Sequence, residues 1–190
     1  MTADPMVDLR RRFTVEEYER MGEVGILAPD DRTELLDGEI VTISPIGPRH
    51  ASVVDVITEY LYTLLLGQVA VRVQNPIRLL PRSEPQPDIV VARRRRDRYA
   101  SGHPTAEDTL LVIEVADSSL HTDRAIKIPI YARQGIVEVW LVDLATNVVH
   151  VYADPADGNY RDTRTAARGD VLTPVAIPEV QFPVQDLLHG

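Results

Sequence analysis

Two nearly unbroken apolar runs, TLLVIEVA at 109–116 and IVEVWLVDL at 136–144, flank a segment of helical length, and this spacing constrains the fold most. Short apolar runs of this kind are expected where a strand is covered on both faces, as in a sheet flanked by helices. Between them, TDRAIKIPIYARQG at 122–135 offers Thr122 or Asp123 as an N-cap and Gly135 as a stop. Pro129 is predicted to kink that helix or remove one backbone bond. Strand, helix, strand in this order implies a parallel pair with a right-handed crossover, the helix lying over one face. The expected class is therefore mixed α/β.

Glu114 stands inside the first run, where an ionised carboxylate must be paired, hydrogen-bonded or bound to a cation. Asp88 is the natural companion. It opens the strand-like DIVVA after the stiff connector EPQPD, and pairing of DIVVA with TLLVIEVA brings the two carboxylates together. The chain has no cysteine, so a metal here is held by oxygen or imidazole ligands, which favours a hard cation. Magnesium suits two carboxylates, because it retains several waters. Of 20 basic residues only Lys127 is lysine, on the helix after Glu114. An ammonium is a compact charge that arginine does not replace, and here it could orient or help deprotonate an attacking water and stabilise phosphate charge.

Elsewhere, FTVEEYERMG reads as a short helix with Thr14 and Glu17 as a capping box and Gly22 as terminator. RTELLDGEIVTISP reads as a hairpin turning at Asp37-Gly38. From Pro48 to Gly67 a long helix places Val53, Val54, Ile57, Leu61, Leu64 and Leu65 on one face. VAVRVQNPIRLL supplies another strand. The tail reads as a hairpin at Asp157-Gly158 and an extended segment with prolines at 174, 178 and 183. One domain is expected over 1–190, with its core at about 30–145 and a C-terminal extension at about 146–190. The first residues lack an apolar targeting segment and no run is long enough to span a membrane, so a cytoplasmic location is expected.

The net charge of −9 excludes a generally basic coat, but its distribution is uneven. Residues 72–98 hold eight arginines against Glu84, Asp88 and Asp97, a local excess of five positive charges. Arg93, Arg94, Arg95 and Arg96 are the candidate contacts to nucleic acid.

The stretches PD at 87–88, EVADSS at 114–119 and DRAIKIPIYARQGIVEVWLVD at 123–143 resemble the Uma-two family of restriction-endonuclease-like proteins, in the PD-(D/E)XK nuclease superfamily. The similarity extends back through RTELLDGEIVTISP and His50. It implies a restriction-endonuclease-like core: a mixed central sheet flanked by helices, with an N-terminal helix and hairpin and a C-terminal hairpin added. It also implies metal-dependent cleavage of phosphodiester bonds, with DNA the expected substrate. Asp88 and Glu114 are carried over as metal ligands for magnesium, with manganese as substitute, and Lys127 as the catalytic lysine. Glu34 and His50 match further motif positions. Ala116 stands where the superfamily pattern has lysine, which makes Lys127 a migrated substitute. Such nucleases often pair two active sites, so a homodimer is compatible.

Each residue also has a plainer reading. Asp88 can be a turn residue, Glu114 can pair with Arg78, and Lys127 can extend along an amphipathic helix to water. His50 can cap the long helix, or act as ligand or proton carrier if Glu34 approaches. Asp123 reads as an N-cap and Tyr131 as core. Ser118, Ser119 and His121 lack triad geometry. The rival functions are a catalytically silent nucleic-acid-binding or assembly protein, and a structural dimer whose buried carboxylates are satisfied by arginines.

Overall fold

The computed structural model describes residues 10–28, 30–117 and 119–188; Ser118 lies outside them. Helix α1 (Val15–Glu23) opens with the expected capping box, Thr14 and Glu17 each satisfying the other's backbone N–H. Gly22 lies inside the helix rather than ending it; the chain leaves at Val24 and reverses at Gly25, where φ is +76°. Strands β1 (Thr33–Leu36) and β2 (Glu39–Thr42) form the expected hairpin. Its turn needs positive φ at both Asp37 and Gly38, which take 47° and 81°.

Helix α2 (Pro48–Leu65) buries Val53, Val54, Ile57, Leu61 and Leu65, whereas Leu64 is exposed. The 3.6-residue period carries Leu64 past the edge of the packed stripe. Strands β3 (Val69–Val73), β4 (Ile89–Arg93), β5 (Thr109–Ala116), β6 (Glu138–Asp143), β7 (Val148–Ala156) and β8 (Asn159–Ala166) form one six-stranded sheet in that order. The β5–β6 pair is parallel, as the helix between them requires, and the other neighbours are antiparallel.

Every residue of β5 and β6 is buried, and alternation sorts them between two layers. Ile89, Val91, Leu111, Ile113, Val115, Trp140 and Val142 pack with α2. Val90, Ala92, Val112 and Val139 pack with Ile128, Ile130 and Tyr131. Glu114 shares the parity of Val112 and so faces the second layer. The C-terminal segment, with β9 (Val171–Leu172), β10 (Phe182–Pro183) and α5 (Val184–Leu187), joins the α2 layer through Phe182, Val184 and Leu187.

The crossover is not one kinked helix. It comprises a short turn α3 (Leu120–Thr122), a π-turn (Asp123–Lys127) and α4 (Ile128–Arg133). Pro129 lies in the first turn of α4, where a missing N–H costs least. Its ring crowds the carbonyl one turn earlier, and the turn before it widens so that the Ile128 N–H reaches the Asp123 carbonyl.

Glu84 is buried beside β1, its backbone exchanging hydrogen bonds with Leu35 at 2.7 and 3.3 Å. Burial, then the nearby Glu19 charge, pushes its carboxyl up to about 7. Oε2 is buried with no hydrogen-bond partner among the described residues. The folded protein holds this proton more tightly than the unfolded chain, so the associated stability is present in acid and lost between the ordinary value of 4.5 and about 7. Glu84→Gln is therefore expected to stabilise the protein near pH 8 by on the order of 1–3 kcal/mol and change little near pH 4. Urea denaturation at the two pH values checks this; an equal effect at both would contradict it.

Candidate active site

The two carboxylates meet where β4 and β5 begin to separate. Ile89 pairs with Ile113, so the next register step sets Asp88 opposite Glu114 on one face. Asp88 Oδ2 accepts the Val115 N–H at 2.8 Å and lies 3.0 Å from His50 Nε2; Oδ1 receives the Gln74 amide at 3.5 Å. Gln74, held at φ 51° just past β3, also donates its backbone N–H to the Asp88 carbonyl. The aspartate is thus a fixed group rather than a mobile turn residue.

Glu114 is 2% exposed. Its Oε1 accepts the Tyr131 hydroxyl at 2.6 Å and lies 3.4 Å from Lys127 Nζ; Oε2 takes neither contact. Burial raises its carboxyl to about 8, opposed by Lys127 and assisted by the charges of Asp123 and Asp88. Arg78 is not its partner. That guanidinium binds Glu16 and Glu19 on α1, because Arg78 lies in the connector after β3 and not on the strands flanking Glu114.

Lys127 does not extend to water. It is buried, with Nζ 3.2 Å from Glu34 Oε2, 3.4 Å from Glu114 Oε1 and 3.8 Å from Asp123 Oδ1. Burial works against its charge, but the three carboxylates outweigh it and the ammonium is held above its ordinary range. Glu34 reaches it from β1, its Oε2 also accepting the Gln86 N–H at 3.0 Å.

Three residues differ from their expected roles. His50 neither caps α2, whose N-cap is Gly47, nor meets Glu34; it bonds Asp88, and that bond raises its proton affinity. Glu34 is occupied by Lys127 instead. Asp123 is not an N-cap but lies buried in the π-turn, bonded to Ser119 Oγ at 2.6 Å and paired with Lys127. The widened turn carries both Asp123 and Lys127 into the cleft. Tyr131 is core, as expected, yet its hydroxyl also positions Glu114. Its place one helical turn after Lys127 was the available signal; Gln74 offered none.

An open cleft of about 280 Å³ collects Arg32, Glu34, His50, Asp88, Glu114 and Lys127 on its wall. Among the described residues no group of three or more histidine, aspartate or glutamate side chains forms a metal-binding cluster. The Arg93–Arg96 run is elsewhere. Asp88 precedes β4 and Arg93 ends it, so the run begins about 16 Å away at roughly 3.3 Å per residue. Its arginines 94–96 line a separate hollow with Arg98.

None of the curated proteins matches this chain. A protein of solved structure from Anabaena variabilis ATCC 29413, described as "a putative nuclease belonging to DUF820", superposes with a TM-score of 0.70 at 16% identity. The match covers 93% of this chain and 97% of that one, which establishes a shared fold. Among the described residues no helix is long and apolar enough to cross a membrane. Residues 15–185 match the Uma2 family, described as "Putative restriction endonuclease", and the chain belongs to that family.

Proposed function

We propose that this protein is a metal-dependent endonuclease hydrolysing phosphodiester bonds of DNA, with magnesium or manganese held by Asp88 and Glu114. The observation that carries the reading is Lys127 pinned among Glu34, Glu114 and Asp123 on a cleft that also contains Asp88. Three carboxylates contact the Lys127 ammonium and Asp88 shares the same cleft, so acidic groups outnumber the single cationic side chain among them and favour a bound cation. The donor set is all oxygen, and two carboxylates with retained waters are what magnesium uses, so a larger protein cluster is not required.

A divalent cation in this place supplies Lewis-acid stabilisation of the charge that builds on phosphate oxygens. The chain supplies the positioning. Water attacks phosphorus in line with the leaving oxygen. Lys127 remains protonated, so it acts by orienting that water and stabilising charge rather than by taking a proton. Tyr131 fixes Glu114, and the Val115 N–H and His50 fix Asp88, so neither carboxylate must reorganise during the reaction.

The test is conversion of supercoiled plasmid DNA to nicked or linear forms by purified protein. Cleavage is expected with magnesium or manganese and none with excess chelator. Equal cutting in chelator, or no cutting with either metal, would refute the reading.

A further inference from the structure

The six-stranded sheet ends in two different edges. At one, β3 is five residues long and half-buried, and the Tyr62 hydroxyl donates to its Val71 carbonyl at 3.3 Å. At the other, β8 is eight residues long, holds neither proline nor glycine, and exposes Arg161, Asp162, Thr163, Arg164 and Thr165 in succession. β7 covers one side of it. Among the described residues no other backbone group bonds to its backbone, so its outer row of N–H and C=O groups offers a ladder to one more strand.

Charged side chains on an edge ordinarily deter strand addition. Here their order admits one partner. Arg161 is paired with Asp154 of β7 at 3.1 Å, whereas Asp162 and Arg164 make no hydrogen bond or ion pair among the described residues. Both act on buried Glu138 two strands away, Arg164 lowering and Asp162 raising its proton affinity, and alternation sets them on that one face. Laid antiparallel beside itself about a two-fold axis at Thr163, β8 sets Asp162 of each copy opposite Arg164 of the other, and Arg161 opposite the neutral Thr165. Moving the axis by one residue sets Asp162 against Asp162 or Arg164 against Arg164. Opposite charges directly across an antiparallel pair attract and like charges repel. A contact of this isologous kind satisfies both copies and closes the assembly at two.

We propose that β8 is the dimerisation edge of this protein, pairing antiparallel with β8 of a second copy about Thr163 to make one continuous sheet. Thr165 lies in the register row of Glu114, reached through Leu141 and His150. The edge therefore stands about 14 Å from the cleft, at roughly 4.8 Å per strand, and the inference is independent of the nuclease reading.

Sedimentation equilibrium of the full chain over the micromolar range, with circular dichroism to confirm folding, tests the charges. Wild type is expected to be a dimer. Asp162→Arg and Arg164→Asp are each expected to weaken association by at least about tenfold, since each turns two attractive pairs into repulsive ones. The double variant, Asp162→Arg with Arg164→Asp, restores opposite charges and is expected to associate within about threefold of wild type. Cross-linking tests the register, and the cysteine-free chain makes it specific. Across the axis the two Thr163 Cα atoms stand about 4.5–5.5 Å apart, within reach of a disulfide, whereas the two Thr165 stand roughly 13 Å apart along the strand. Oxidised Thr163→Cys is therefore expected to run as a linked dimer on a non-reducing gel, and Thr165→Cys as a monomer. A monomeric wild type would leave the edge to a strand of another protein and overturn the proposal. A dimer indifferent to the single reversals, one not restored by the double variant, or linkage at 165 as complete as at 163 would also overturn it.

Discussion

Lys127→Met is expected to remove cleavage by about 10²–10⁴-fold and to destabilise the protein by about 3–5 kcal/mol near pH 9. Both effects have one origin. The ammonium neutralises Glu34, Glu114 and Asp123 within 3.2–3.8 Å, and none of the three can turn to bulk water. A methionine of similar length keeps the packing and leaves three buried anions facing one another. They respond by holding protons, as Glu114 already does when its carboxyl is pushed up to about 8 with the lysine present. Folded-state proton affinity above the unfolded value makes stability fall as pH rises from the ordinary 4.5 through and beyond about 8. The deficit against wild type should therefore be small near pH 5 and largest near pH 9. Denaturant unfolding at the two pH values measures it. Equal stability of variant and wild type near pH 9 would show that the lysine does not neutralise the carboxylates.

Asp88→Asn is expected to separate the chemistry from the stability. It should lower cleavage by at least about 10²-fold, because several kcal/mol of charge stabilisation depends on a bound cation. It should change stability by less than about 1 kcal/mol, since the amide oxygen can still accept the Val115 N–H and the shape is kept. Calorimetric magnesium binding should weaken with it. His50 supplies an independent readout: the hydrogen bond to Asp88 is what chiefly raises its proton affinity, so its titration by NMR should return toward the ordinary value in the variant. A variant that binds magnesium and cuts like wild type would remove Asp88 from the site. A variant that loses activity only because it unfolds would fail the stability measurement first.

The core of the site was legible because its expense is visible in one dimension. A carboxylate inside a buried strand must be compensated, and that requirement alone directs attention from Glu114 to Asp88, whose strand pairs with it as expected. Lys127 was conspicuous as the one lysine among nineteen arginines. Partner assignments were not legible to the same degree. His50 and Glu34 read as a couple, yet they contact Asp88 and Lys127 respectively, because the start of α2 approaches the start of β4 while β1 approaches the π-turn. Asp123 read as a helix cap because the sequence offers no mark of a π-turn beyond Pro129, and only the wider turn brings its carboxylate inward. The arginine run, the strongest charge signal in the chain, begins at the far end of β4 from Asp88.

What the amino-acid sequence by itself determined is the layer plan and the list of costly groups: apolar runs of strand length require a covered sheet, the segment between them requires a crossover, and buried charges require partners. Which partner each charge received was decided by tertiary structure. Burial is a property of a segment and its periodicity, whereas a 3 Å contact depends on where separate elements end in space, and the end of a strand or the width of one helical turn is enough to exchange one partner for another.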